Sequence, residues 1–68
     1  MVNKKTLASV VRRARTSKLW TQADLAAASK LSPSLIANIE CGKTVRVLQL
    51  TASKLERALG VRLTKFAK

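Results

Sequence analysis

The chain has 68 residues, so we expect one small domain, near the lower size at which a chain folds without disulfides or metals. Hydrophobic residues make up 47% of the sequence, and only Trp20 and Phe66 are aromatic, which predicts an aliphatic core. Fourteen Lys and Arg against three acidic residues give a formal charge of +11. A charge of this size opposes folding by self-repulsion and predicts a polyanionic partner: nucleic acid by default, with an anionic membrane surface as the competitor.

Missing residue types exclude several classes of protein. Cys41 is the single cysteine and histidine is absent, so we expect neither an internal disulfide nor an ordinary zinc site. Cys41 is predicted to be a buried or half-buried small residue in a reducing compartment. The lack of histidine and the small number of acids argue against an enzyme, and no cofactor or metal is predicted. Without an apolar run of about 18 residues or a signal-peptide core, the expected location is the nucleus or the cytoplasm, with no membrane partner.

The chain begins with residues 1–5, predicted to be a flexible basic arm, and residues 6–68 are predicted to be the folded domain. Thr6 is a candidate cap for a first helix that extends to about Ser17. Its apolar stripe has helical spacing and comprises Leu7, Val10, Val11 and Ala14.

Arg15 is the unusual charge of this helix. It lies beside the apolar stripe, four residues after Val11, whereas Arg12 and Arg13 are expected on the opposite face. An unpaired buried charge is costly. Arg15 therefore needs a carboxylate partner.

Two short capped helices follow within Trp20–Gly42. Thr21 precedes the first of them, with Asp24 three residues later, the spacing of a capping box. Ser32 caps the second, and Pro33 suits its first position because the missing N–H would have no partner there. A connector of two residues between helices ending near residue 29 and beginning at residue 33 predicts a helix-turn-helix.

The rest of the chain is predicted to support this unit. The third helix runs to about Glu40, and Gly42 ends it. A basic loop then leads to a fourth helix from about Leu48 to Leu59, followed by an apolar tail that is expected to pack back on the core. The predicted buried stripe of the fourth helix comprises Leu48, Ala52, Leu55 and Leu59. The predicted fold is all-α, a compact four- to five-helix bundle.

Specific residues strengthen this interpretation. The chain resembles the Cro/phage-repressor helix-turn-helix family, with a lambda-repressor-like fold, over roughly residues 6–63. The residues that carry the resemblance are Arg15, Trp20-Thr21-Gln22, Leu25-Ala26, Ser32-Pro33-Ser34, Ile36, Glu40 and Gly42-Lys43. Within that family, Lys54–Leu63 is similar to the C-terminal domain of the multiprotein bridging factors, which are eukaryotic and archaeal transcriptional coactivators. Bridging factors also carry an N-terminal region, so the resemblance implies an excised domain or a minimal protein.

Three positions depart from the family pattern. Lys30 stands where Gly or Asn is usual, at a turn position expected to have a positive φ. Ser29 replaces an aliphatic residue. The loop after Gly42 lacks the usual proline.

The resemblance implies roles for individual side chains. It implies that Arg15 forms a structural ion pair with Glu40, which lies at the end of the third helix. It also implies that the third helix is the recognition helix, and that the start of the second helix and the loop after the third contact DNA phosphate. A helix N-terminus is a ready anion site on physical grounds as well. The predicted DNA contacts are Thr21, Gln22, Ser32, Ser34, Asn38, Lys43, Thr44 and Arg46.

The predicted recognition helix has few groups that read bases. Asn38 could bind adenine through two hydrogen bonds, and Ser34 could contact any base, but the helix has no arginine for guanine. Weak sequence preference is therefore expected, with Lys43 and Arg46 as the main phosphate contacts.

Three functions remain open. The first is a bridging-factor-type coactivator, expected to be monomeric, which by resemblance would join the TATA-binding protein to a basic-zipper activator and contact double-stranded DNA weakly. The second is a phage-type or prokaryotic repressor or antitoxin that binds a palindrome as a dimer. The third is an RNA- or ribosome-binding basic module. A membrane-surface amphipathic peptide is disfavoured because the capped helices indicate a globular fold.

Overall fold

The computed structural model describes residues 6–68, and the predicted basic arm of residues 1–5 lies outside the described residues. Four helices follow one another along the chain: α1 (Leu7–Ser17), α2 (Gln22–Ser29), α3 (Pro33–Glu40) and α4 (Gln49–Leu59). A 3₁₀ turn, Thr64–Phe66, comes last. The predicted all-α helix-turn-helix architecture is confirmed. Among residues 6–68, no helix is long and apolar enough to cross a membrane.

Side-chain caps explain where the first three helices begin. The Thr6 hydroxyl accepts a hydrogen bond from the Ser9 N–H at 3.1 Å and opens α1. At α2, the Asp24 N–H donates to the Thr21 hydroxyl at 3.0 Å, and the Thr21 N–H donates to the Asp24 carboxylate at 2.8 Å. Ser32 caps α3 in the same manner, with Pro33 at the start of the helix. These bonds satisfy amides that have no partner within the helix.

The turn between α2 and α3 adopts the left-handed conformation that the family pattern predicts. Lys30 has φ of 60°, and the next amide, that of Leu31, donates to the Ala26 carbonyl at 3.0 Å. Leu19, before α2, has φ of 61° as well, which the sequence pattern does not predict. Both residues carry a side chain, yet their backbone has the left-handed conformation that favours glycine, so each turn holds some backbone strain.

The core is aliphatic, as predicted, and all four helices contribute to it. The fully buried large side chains are Leu7, Val11, Leu25, Ile36, Ile39, Leu55 and Leu63. Ser29 is also buried, at a position where an aliphatic residue is usual. Its hydroxyl donates to the Leu25 carbonyl at 2.7 Å, which satisfies the polar group within its own helix.

Two sequence predictions about burial are wrong. Leu48 does not belong to the buried stripe of α4: it precedes the helix in an extended conformation, with φ of −64° and ψ of 153°, and its side chain is 64% exposed. Outside the helix, Leu48 does not share the register that buries Ala52 and Leu55. Cys41 is exposed rather than buried because it continues the helical conformation of α3 and lies three residues after Asn38, on the exposed face of that helix.

The chain after α4 folds back on the bundle. Gly60 ends α4 with φ of 73°, and Leu63 is fully buried. The Leu63 N–H donates to the Glu56 carboxylate at 2.6 Å, which ties this segment to the last turns of α4. Beyond it, Ala67 forms an isolated parallel bridge with Val47, in the stretch between α3 and α4.

Candidate nucleic-acid interface

A bidentate ion pair fixes α1 to the end of α3. Arg15 donates from Nε to Glu40 Oε2 at 2.6 Å and from Nη2 to Glu40 Oε1 at 2.8 Å. Its third nitrogen, Nη1, donates to the Trp20 carbonyl at 2.6 Å, just before α2. The Glu40 side chain is 1% exposed and the Arg15 side chain 14%. One guanidinium therefore connects α1, α3 and the residue before the cap of α2.

Two further residues converge on the same glutamate. The Gln22 side-chain amide donates to Glu40 Oε1 at 3.3 Å. Arg12 lies 3.9 Å from the same oxygen and donates from Nη2 to the Glu40 carbonyl at 3.3 Å. We call Arg12, Arg15, Gln22 and Glu40 the Glu40 cluster. The sequence pattern predicts Arg12 on the face of α1 opposite the apolar stripe, and this does not anticipate its contact with Glu40. The signal for that contact is its position three residues before Arg15, since residues three apart are neighbours on a helix surface.

Electrostatics in the Glu40 cluster favour the carboxylate. Burial by itself would raise the pKa of Glu40. Hydrogen bonds from Arg15 and Gln22, together with the charges of Arg15 and Arg12, outweigh burial, so the pKa of Glu40 lies below its ordinary value. The hydrogen bond to Glu40 likewise raises the pKa of Arg15. The pair is therefore ionised at neutral pH.

The side chains of Thr21 and Gln22, at the start of α2, form hydrogen bonds within the protein. Thr21 is exposed, but its hydroxyl and its N–H are both bonded to Asp24. Gln22 is half-buried, and its side chain turns toward Glu40. Thr21 and Gln22 are both predicted phosphate contacts, and the side chain of each already has a hydrogen-bond partner within the fold. A carboxylate at this helix start also opposes an approaching phosphate.

The surface of α3 is neutral over its first six residues. Ser32, which caps the helix, is exposed, as are Ser34 and Asn38, and Ala37 is half-buried. The inward face carries Ile36 and Ile39, and the only charge on the helix is the buried Glu40. This geometry leaves hydroxyl and amide groups outward and places no cation among them.

The predicted cations stand directly beyond α3. We call Lys43–Val47 the phosphate loop, after its predicted role. Lys43 and Arg46 are exposed and Thr44 is half-buried. The Thr44 N–H donates to the Asn38 carbonyl at 3.2 Å, so the loop is attached to the last turn of α3. The structure thus brings the predicted loop contacts next to the predicted recognition helix.

Groups suited to other chemistry are scarce. Within residues 6–68, no three Cys, Asp or Glu side chains lie together in a way that could hold a metal ion. All three acids serve the fold: Asp24 in a cap, Glu40 in its cluster and Glu56 at the Leu63 amide.

Comparison with known proteins identifies the class. The pattern of the helix-turn-helix family matches residues 11–66, which include α2, α3 and α4 entire and the second part of α1. The chain therefore belongs to the helix-turn-helix family, and the resemblance drawn from the sequence is confirmed. Membership of this family supports DNA binding.

A curated relative narrows the comparison. The chain is 41% identical over 54 residues to Endothelial differentiation-related factor 1 homolog from Danio rerio, a protein of the bridging-factor family. The alignment covers 79% of this chain and 36% of the relative, so the chain spans about a third of that protein's length. Together the two comparisons support a transcription-related, DNA-binding role and point to a regulator rather than an enzyme.

Proposed function

We propose that this chain is the DNA-binding domain of a bridging-factor-type transcriptional coactivator whose DNA contact is directed mostly at phosphate. One observation carries the proposal. The exposed face of α3 is neutral from Ser32 to Asn38, while two exposed cations, Lys43 and Arg46, lie in a loop bonded to that helix.

This division of charge favours backbone contact over base reading. Guanine is most often read by arginine, which α3 lacks, and Asn38 is its only side chain that forms a bidentate pair with a base. Contacts to phosphate position a protein on the duplex but carry no sequence information. A domain built in this way binds many sequences with similar, salt-sensitive affinity.

The proposed partners follow from the same family. Double-stranded DNA is the first. The TATA-binding protein and a basic-zipper activator are the protein partners that the bridging-factor resemblance implies. The proposed location of the protein is the nucleus or the cytoplasm. The relative similarly supports transcription as the setting.

Titration with duplex DNA tests the proposal. Backbone amide shifts are recorded with two 16-base-pair duplexes of unrelated sequence, and binding is measured from 50 to 200 mM salt. We expect the largest shifts at the phosphate loop and similar affinities for both duplexes. If about five phosphates are neutralised, log K falls with log salt at a slope of about −4 to −5.

Other outcomes would assign a different function. A tight dimer that strongly prefers one palindromic duplex would identify a repressor or antitoxin and overturn the coactivator proposal. Preference for structured RNA over duplex DNA at matched salt would indicate the RNA-binding alternative. Sedimentation of the free protein and competition by RNA hairpins complete the experiment.

A further inference from the structure

The C-terminal residues of the chain hold the phosphate loop from one side. We call Thr64–Lys68 the C-terminal strap. The Val47 N–H donates to the Phe66 carbonyl at 3.0 Å, and the Lys68 N–H donates to the Val47 carbonyl at 2.8 Å. Val47 is thus held at both of its backbone groups by residues about twenty positions later, and it is the only buried residue of the phosphate loop.

The strap is itself fixed to the body of the protein. Leu63, just before it, is fully buried, and its N–H is bonded to Glu56 of α4. The Phe66 N–H donates to the Leu63 carbonyl, and within the strap the Ala67 N–H donates to the Thr64 carbonyl, both at 3.0 Å. Phe66 and Ala67 pack against the core. The strap can therefore transmit the position of α4 to the loop.

The loop has a second attachment at its other end. The Thr44 N–H is bonded to the Asn38 carbonyl of α3. Arg46 lies between the two attachments, and its Nη2 is 3.5 Å from the Ala67 carbonyl, at the outer limit of a hydrogen bond. Arg46 is therefore placed by α3 on one side and by the strap on the other.

We propose that the C-terminal strap is a positioning element for phosphate contact. This inference rests on the proposed function of the phosphate loop. A loop that is ordered before binding loses less conformational entropy on the DNA than one that must be ordered at that moment. The hydrogen bond from Lys68 to Val47 therefore increases DNA affinity without touching the DNA.

Deleting Lys68 would remove its positive charge together with its hydrogen bond to Val47, so a deletion cannot separate the two effects. Two variants separate the effects. Lys68→Ala removes the charge and keeps the N–H, whereas Lys68→Pro removes both. Proline fits here because Ala67, with φ of −81° and ψ of 144°, already has the extended conformation that a residue before proline prefers.

DNA affinity and its salt dependence are measured for both variants. Relative to Lys68→Ala, Lys68→Pro should bind duplex DNA about two- to tenfold more weakly, the value of one ordinary hydrogen bond. The slope of log K against log salt should be the same for the two variants, because the loop contacts the same phosphates once bound. Amide hydrogen exchange of Val47 in the free protein should be faster in Lys68→Pro.

A second form of the protein guards against misfolding of the proline variant. In a synthetic chain, an ester in place of the amide at residue 68 removes the N–H and keeps the lysine side chain. It should reproduce the affinity loss, again with the salt slope of the wild type. Far-UV circular dichroism and the melting temperature report whether each form is folded.

The outcomes distinguish this inference from the function on which it rests. If the wild type binds duplex DNA and the ester form binds equally well, the strap has no positioning role and the inference is wrong. If the salt slope flattens in the ester form, a phosphate contact has been lost, and this too overturns the inference. If the wild type does not bind duplex DNA, the proposed function fails and the inference fails with it.

Discussion

Glu40 and Lys43 are three residues apart, yet the charge of Glu40 is buried and paired, whereas the charge of Lys43 is exposed to solvent. The Glu40 carboxylate is almost inaccessible to water and is surrounded by Arg15, Gln22 and Arg12. Lys43 and Arg46 are exposed, and no acidic residue occurs between Cys41 and Leu55. The end of α3 therefore separates charge that stabilises the fold from charge that is available to a partner.

The comparison explains how a strongly basic chain remains folded. Repulsion among the cations is offset at the buried carboxylate of Glu40, which contacts Arg12 and Arg15. Where the other cations face solvent, their repulsion is weaker. Changes in the Glu40 cluster should therefore alter stability, and changes in the phosphate loop should alter binding.

The largest expected effect is the removal of Arg15. Arg15→Ala leaves Glu40 buried without its bidentate partner, which should reduce the free energy of unfolding by about 3–5 kcal/mol. A loss of this size approaches the whole stability of a small domain, so the variant should be partly unfolded without denaturant. Urea denaturation followed by circular dichroism measures the effect.

Arg13→Ala is the matched control for this prediction. It removes the same charge from the same helix, but at an exposed position, and should change stability by less than about 0.5 kcal/mol. Equal losses in the two variants would show that net charge, rather than the Glu40 cluster, determines stability.

Acid should weaken the same cluster to a smaller degree, because a protonated Glu40 keeps some of its hydrogen bonds. The pKa of Glu40 is lower in the folded protein than its ordinary value of 4.5. Its contribution to stability is thus complete above pH 4.5 and is lost as the pH falls through the folded-state pKa. Urea denaturation between pH 6 and pH 3 should show this decrease.

Glu40→Gln cannot be protonated and serves as the reference. It should start from a lower stability at pH 6 and show a shallower decrease in acid than the wild type. Parallel pH curves for the two proteins would mean that other carboxyl groups cause the acid sensitivity.

Smaller effects are expected at the phosphate loop, and they should appear in binding alone. Lys43→Ala and Arg46→Ala should each flatten the slope of log K against log salt by about one unit and leave base preference unchanged. Stability should change by less than about 0.5 kcal/mol because both side chains are exposed.

Arg57→Ala and Arg62→Ala are the controls for the loop variants. Both residues are exposed and lie in or beyond α4, away from the predicted interface in the sequence. If these variants flatten the salt slope and the loop variants do not, the binding surface lies elsewhere on the domain.

The helices of this fold could be predicted because their signals are local. Capping residues and the spacing of apolar side chains indicate α1 to α3 with the bounds that the structure shows. Apolar spacing wrongly predicts that Leu48 is buried, because an apolar residue four positions before Ala52 fits a helical stripe whether or not the helix includes it. Leu48 is exposed because its backbone is extended at the start of α4, and the spacing of apolar residues does not reveal where a helix begins.

The contacts within the site were less predictable from sequence. A charge beside the core indicates that Arg15 needs a carboxylate, and the structure places Glu40 there. The convergence of Arg12 and Gln22 depends on how long side chains bend, which spacing alone does not determine. The strap contacts Val47 through backbone groups, so no side-chain pattern marks them.

The smallest expected effect, that of Asn38→Ala, distinguishes phosphate-directed binding from base reading by α3. Asn38 is exposed, and its amide is the one group on that helix able to read adenine through two hydrogen bonds. If binding is directed at phosphate, Asn38→Ala should weaken binding to any duplex by less than about twofold, because one neutral side chain contributes little beside the loop cations. Its backbone carbonyl, which holds Thr44, is kept in this variant. A bidentate contact with adenine would instead contribute about 1–3 kcal/mol of discrimination between bases. Loss of affinity for one duplex by tenfold or more, with others unaffected, would therefore show that α3 reads sequence, and would move the proposed function from coactivator toward repressor.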